Sequence, residues 1–240
     1  MPPSDAPRKP LAVPDVTAEH YKRNFIRLAV CELRFPTLLE FEQRAPLALS
    51  KALRKEFPTY ETATNVSINP GNVAQVPFHQ FHSRNRSWTV SLRASSLSLE
   101  TSVYDTFDDF AARLGSVLVA ASGSLDTDFF TRIGLRYVNS VPFKAGELEK
   151  WINPQLVGAL AAETYGSVDE YWQRVRGPTS VGGYTFSHGI SGPEYFLDLD
   201  FFSEDVAYKE AIPLVKRLHT SAFSLFRWAI ADGAKAHLES

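Results

Sequence analysis

The sequence predicts an α+β fold: a strand–helix–strands–helix unit that occurs twice, with antiparallel sheet and helices packed on one face. Three observations predict it. Short alternating segments bounded by Gly and Pro read as antiparallel strands. Two stretches with apolar residues at helical spacing close the two halves. The order of elements over residues 17–122 recurs over 123–240, and the two spans meet at Ser122-Gly123-Ser124, too short for a flexible linker. Residues 1–16, rich in proline and charge, read as a disordered or loosely attached leader before one compact unit.

In the first half, Phe25–Phe35 reads as a strand apolar on both faces and ended by Pro36. A helix is expected over Ala45–Phe57, where Leu49, Leu53 and Phe57 recur every four residues and Pro46 suits the first turn. Strands are expected at Thr62–Asn69, Gln75–His82, Trp88–Arg93 and Leu97–Tyr104, with turns at Asn69-Pro70-Gly71 and at the polar Arg84–Ser87 tip. Thr106 is a plausible N-cap followed by Asp108 and Asp109. Phe107, Phe110, Leu114, Val117 and Ala121 then trace one helical face.

In the second half, Phe129–Val141 is the first strand, and Gly146–Ala162 reads as a helix interrupted at Pro154. Three strands follow, at Val168–Arg176, Thr179–His188 and Glu194–Phe202, with turns at Gly177-Pro178 and Gly192-Pro193. A single buried helix is expected from Ile212 to His237, with Leu214, Leu218, Ser221, Leu225 and Ala229 along one face.

The bulk numbers remove several classes. Lys and Arg total 25 against 27 Asp and Glu, a formal charge of −2. This balance gives no electrostatic reason for nucleic acid or an anionic membrane as partner. No run approaches the apolar length of a membrane helix, and the amino terminus lacks the apolar core of a secretory signal. The one cysteine, Cys31, excludes an internal disulfide, fits a reducing, cytoplasmic setting, and reads as a buried inert thiol.

Arg132-Ile133-Gly134-Leu135-Arg136-Tyr137-Val138-Asn139 looks like the central motif of a sporadically distributed bacterial family of uncharacterised proteins. Cys31–Phe35 is similar to its first-strand motif, and Ser98-Leu99-Glu100-Thr101 with Tyr104 and Phe110 to its middle one. Phe196–Asp200 and Leu218–Phe226 resemble its carboxy-terminal pattern. The resemblance implies a cytoplasmic, bacterial or mobile-element, defence-associated context. It implies no catalytic residue.

The central motif carries the sharpest candidate site. On a strand, Ile133, Leu135 and Tyr137 face one side and Arg132, Gly134 and Arg136 the other. Two arginines about a residue with no side chain could form a fork for a carboxylate or phosphate. The competing reading is a cross-strand charge ladder with Asp198 and Asp200, and it is favoured because the first half offers a parallel set, Glu32 and Arg34 against Glu100. In a mixture of the two, Arg136 is expected as the structural member and Arg132 as the freer one. Candidate binding residues are Arg132, Arg136, Asn139, Arg34, Glu100 and Tyr104.

Other signals are weaker. Asp198 and Asp200 with Glu194 offer too few oxygen ligands for a hard cation. His79 and His82 with Arg84 and Arg86 invite an acid–base ribonuclease reading, but on a strand the two histidines face opposite sides. His188 lacks the surroundings of a nucleophile elbow, and Gly182-Gly183-Tyr184 lacks phosphate-loop spacing. No cofactor or metal is expected.

The leading functional reading is a non-enzymatic binding protein. Its expected contacts are a protein partner or self-association, the partner being a neighbouring gene product in a defence or toxin–antitoxin-like operon. It rests on the missing mechanism motifs, the balanced charge and the aromatic strands, with 17 Phe, 9 Tyr and 4 Trp. The alternatives are a sensor of a small anionic ligand on the Arg132/Arg136 face, and a nucleic-acid binder or ribonuclease.

Overall fold

The computed structural model describes residues 8–69, 72–144, 146–162 and 164–240. The expected turn at Pro70-Gly71 lies outside the described residues. In chain order the elements are β1 (Ile26–Arg34), α1 (Glu40–Gln43), α2 (Leu47–Leu53), β2 (Thr59–Asn69), β3 (Asn72–His82), β4 (Trp88–Arg93), β5 (Ser96–Thr101) and α3 (Phe107–Ala121). There follow β6 (Phe129–Pro142), α4 (Leu148–Trp151), α5 (Pro154–Ala161), β7 (Glu170–Thr179), β8 (Gly182–Ser191), β9 (Glu194–Ala207), α6 (Ala211–Ala229) and α7 (Asp232–Glu239). The fold is α+β, as the alternating patterns imply. The strands form an antiparallel sheet in the order β2-β3-β4-β5-β1-β6-β9-β8-β7.

The chain divides into two compact units. The first comprises Ile26–Arg136 and Ser203–Lys216. The second comprises the described part of Met1–Phe25, Tyr137–Phe202 and Arg217–Ser240.

In the first unit the strand register gathers a set of apolar side chains from β1, β4 and β5 on one face. Cys31 lies opposite Leu99 and Leu33 opposite Leu97, while Val90 and Leu92 of β4 flank the same two leucines. All are fully buried. The helix α3 covers this face. It forms where expected because Thr106 Oγ1 accepts from the Asp109 amide at 3.1 Å and so satisfies an otherwise orphaned N–H. Phe110, Leu114, Val117 and Ala121 are buried, and the Phe110 ring sits 5.8 Å from that of Trp88. Burial raises the Cys31 thiol far above its ordinary value, which makes it the inert core residue expected. The helix expected at 45–57 is shorter, Leu47–Leu53, and α1 precedes it. The opposite face alternates to Glu32, Arg34, Ser96, Ser98 and Glu100.

In the second unit Tyr184, Phe186, His188 and Ile190 of β8 share the core face with Tyr195, Leu197, Leu199 and Phe201 of β9. Tyr137 meets α6 through its hydroxyl, 3.1 Å from His219 Nδ1. The last helix is not continuous. The chain breaks at Ile230-Ala231 because this segment hydrogen-bonds to the link between α4 and α5: the Asn153 amide donates to Ala229 O and the Ala231 amide to Trp151 O, each at 2.9 Å. Gly233 then lets α7 start against Lys150, whose carbonyl oxygen would lie 2.6 Å from an added Cβ.

The expected turn at Gly177-Pro178 is also corrected. Both residues lie inside β7, paired with Tyr184 and Gly183, and the connection is Ser180-Val181. Proline is tolerated because β7 ends the sheet. Residues 8–25 carry no helix or strand, but the Leu11 amide donates to Pro178 O at 2.9 Å and the Val16 amide to Ser224 Oγ at 3.1 Å.

Two glycines should respond in opposite directions. An added Cβ at Gly189 would strike the Tyr171 carbonyl, whereas at Gly115, inside α3, it meets nothing within 4 Å. Gly189→Ala should therefore cost several kcal/mol, and Gly115→Ala should stabilise by about 0.5–1 kcal/mol. Chemical denaturation measures both; equal effects would contradict the packing described.

His188 is buried with Nδ1 2.6 Å from the Tyr195 hydroxyl, and burial pushes its pKa down to about 4. Protonation therefore favours the unfolded chain below its ordinary value of about 6.5. The contribution of keeping it neutral is complete above that pH and is lost as pH falls toward 4, by up to about 3 kcal/mol. Urea midpoints from pH 8 to pH 4 should fall more steeply for the wild type than for His188→Gln. Parallel curves would refute this.

Candidate functional site

The site is built on the open face of the first unit. Ile133 and Leu135 are fully buried in the core, which leaves Arg132, Gly134 and Arg136 on the other side of β6. The Arg132 guanidinium folds back along its own strand and lies over Gly134. An added Cβ there would collide with Nη1 and stand 3.0 Å from Cζ and 3.1 Å from Nη2. The glycine is thus a seat for the guanidinium, required by close approach rather than by backbone torsion.

Across on β1, Glu32 Oε2 lies 3.6 Å from Arg132 Nη1 and accepts a 2.8 Å hydrogen bond from Arg34 Nε. One carboxylate oxygen therefore faces two guanidiniums, and the three side chains carry a net +1. Arg132 is mostly covered, its side chain 18% exposed, whereas Arg34 is 53% exposed. Arg136 is exposed too, so Arg132, expected to be the freer of the two, is the more covered one. The reason is the seat: Gly134 gives the Arg132 guanidinium a place to lie against the sheet.

The remaining candidates disperse. The register sets Ser98 opposite Glu32 and Ser96 opposite Arg34, while Glu100 lies opposite Val30 and Thr89. The expected pairing of Glu100 with Glu32 and Arg34 is therefore out of register by one row. Partial burial holds the Glu100 carboxyl above its ordinary range, against the pull of Arg93 and His82. Tyr104 packs on the helix side, its ring 6.3 Å from Phe110. Asn139 belongs to the second unit, is buried, and donates its side-chain amide to Leu197 O at 3.2 Å. Arg34 and Arg132 are thus brought together, with Glu32 as their common partner and Arg136 on the same face.

The histidine hairpin is organised differently. His79 is on the core face, with Nε2 2.8 Å from Phe41 O and Nδ1 2.9 Å from the Tyr60 hydroxyl. These partners fit the tautomer that donates from Nε2. His82 is on the opposite face, with Nδ1 3.0 Å from Thr89 Oγ1 and Nε2 3.6 Å from Glu61 Oε2. The two histidines do not converge as an acid–base pair. Glu61 accepts a two-pronged contact from Arg86, at 2.8 and 2.9 Å, which holds its carboxyl below the ordinary range.

Glu32 as a hub and Gly134 as a seat were not among the predicted binding residues. Their signal lay in the sequence: Glu32 and Arg34 share a face of β1 by their spacing of two. Which strand stands beside β1 is a tertiary fact. Among the described residues, no group of three or more His, Cys, Asp or Glu could hold a metal ion, and no helix is long and apolar enough to cross a membrane. No protein-family model matches the chain, and neither does any curated protein.

The seat can be tested by a double-mutant cycle. Gly134→Ala should cost about 1–2 kcal/mol by displacing the guanidinium, and much less in an Arg132→Ala background. Equal costs in both backgrounds, read from urea unfolding, would show that the two residues are independent.

Proposed function

We propose that this chain is a binding protein that performs no chemistry and engages a carboxylate-bearing surface of a protein partner through the open face around Arg34 and Arg132. The observation that carries the reading is the shared carboxylate. Glu32 faces two guanidiniums at once, and Arg34 presents its fork half-exposed beside it. Pre-orientation of this kind lowers the ordering cost of binding.

The partner is a product of a neighbouring gene, an assignment supported by the resemblance of Arg132–Asn139 to a patchily distributed bacterial family; a defence or toxin–antitoxin-like setting and a cytoplasmic location belong to the same reading. The strand order supports an internal duplication as well. Outward from β1 come β5, β4 and β3, and outward from β6 come β9, β8 and β7, with β2 as an addition to the first half.

The test is calorimetric titration of the purified chain with each purified flanking gene product. One product should bind, and Arg34→Ala with Arg132→Gln should weaken it at least about tenfold, the cost of losing a charge-assisted contact. Binding that ignores both substitutions would contradict the site. Small carboxylates or phosphates that raise the melting temperature only when Arg132 is present would favour the ligand-sensor reading instead.

A further inference from the structure

The second unit carries the last strand of the sheet, and its edge offers backbone groups rather than a side-chain cluster. The strand β7 ends the sheet: one of its edges is paired with β8, and among the described residues no strand pairs with the other. The two-residue connection Ser180-Val181 makes Thr179 and Gly182 the hydrogen-bonded pair that closes the hairpin. Alternation then turns the backbone groups of Gly177, Val175 and Gln173 toward β8, and those of Pro178, Arg176, Arg174 and Trp172 outward. Pro178 falls at an outward position, where its missing N–H breaks no ladder bond. Its carbonyl accepts from the Leu11 amide at 2.9 Å. That is the first bond of an added strand, and among the described residues it is the one backbone bond this edge receives from the leader.

The side chains beside the edge select the occupant. Arg174 and Arg176 are exposed and share a face with Trp172. Arg8 and Lys9 join Arg176 around a cleft of about 650 Å³ that also takes in Leu11, Pro178 and Tyr184. Trp172, 46% exposed, is held by its Nε1 donating to Glu170 Oε1 at 3.0 Å and by the Phe196 ring 5.9 Å away. It is an apolar platform fixed in place. We propose that this edge takes an extended acidic segment of a protein partner by strand addition, with its carboxylates against Arg174, Arg176, Arg8 and Lys9 and an apolar side chain on Trp172.

A second copy of the chain fits poorly. Antiparallel pairing of β7 with itself centred on Val175 sets Arg174 of each copy against Arg176 of the other, and like charges directly opposite destabilise a ladder. Nucleic acid satisfies the cations but not the alternating backbone groups. Charges on an edge strand also serve to block aggregation, and the experiment separates that role from recognition.

The probe is a labelled, end-blocked eight-residue peptide with Glu, Glu, Glu and Val at successive alternate positions and Thr between them, so that one face carries the carboxylates and the apolar side chain, followed by fluorescence anisotropy at about 0.05 and 0.15 M salt. Its comparators carry Lys for Glu, or N-methyl groups on the odd or on the even amides; oligo-uridine of the same length is the competitor. Strand addition predicts that the Glu peptide binds and the Lys peptide binds at least about tenfold more weakly. One methylated form should lose binding while the other, methylated on its outer edge, retains it. Arg174→Glu with Arg176→Glu should weaken binding about tenfold or more in a variant that still melts cooperatively, the only contact given up among the described residues being that of Arg176 over the Phe202 ring at 5.6 Å. Four results would overturn the proposal: no saturable binding of the Glu peptide, equal binding of both methylated forms and the parent, indifference to the double substitution, or displacement of the peptide by oligo-uridine at equal concentration. The variants do not touch Arg34 or Arg132, so failure here leaves the reading of the first unit standing.

Discussion

The placement of Arg132 on the open face of the first unit depends on one constraint. In a strand, residues two apart share a side, and at Gly134 that side is empty. The vacancy lets the Arg132 guanidinium fold down onto its own strand, where it faces Glu32 of β1. Glu32 also accepts from Arg34, two residues along its own strand, so one carboxylate faces both guanidiniums. A side chain at position 134 would push the Arg132 guanidinium off the sheet and away from Glu32, while the bond between Glu32 and Arg34 within β1 would remain. A core residue is constrained by volume; this surface arginine is constrained by a missing atom.

The same alternation decides what each face can do. The core faces hold the strongly perturbed groups. Cys31 is pushed toward the neutral thiol, and His188 is kept neutral against Tyr195. Groups held in this way stabilise or destabilise the fold with pH but reach no solvent. The open face holds charges in pairs and small hydroxyls between them, with Ser96 and Ser98 opposite Arg34 and Glu32. Such a face suits recognition, because its charges are oriented before a partner arrives.

The fold was legible wherever local rules dominate. Thr106 caps α3 as its sequence position implies, and the strand pattern through Ile133 and Leu135 marks the core side correctly. Elsewhere tertiary contacts override the local signals. Gly177-Pro178 reads as a turn, but an edge strand accepts proline at an outward position. The stretch from Ile212 to His237 reads as one helix, but the 151–153 segment claims its backbone at Ala229 and Ala231. The candidate site was half legible. Spacing gives the shared face of Arg132 and Gly134 and that of Glu32 and Arg34. Register, which no local pattern encodes, places Glu100 one row away and Asn139 inside a core.

The central claim is that Glu32 holds Arg132 in place, and the most direct measurement is the coupling energy between them. Stabilities of the wild type, Glu32→Gln, Arg132→Gln and the double variant, taken by urea unfolding at low salt, give that energy without reference to any partner. For a pair this covered the coupling should be favourable, about 0.5–1 kcal/mol, and should shrink as salt is raised. Additive effects of the two substitutions at every salt concentration would contradict the account.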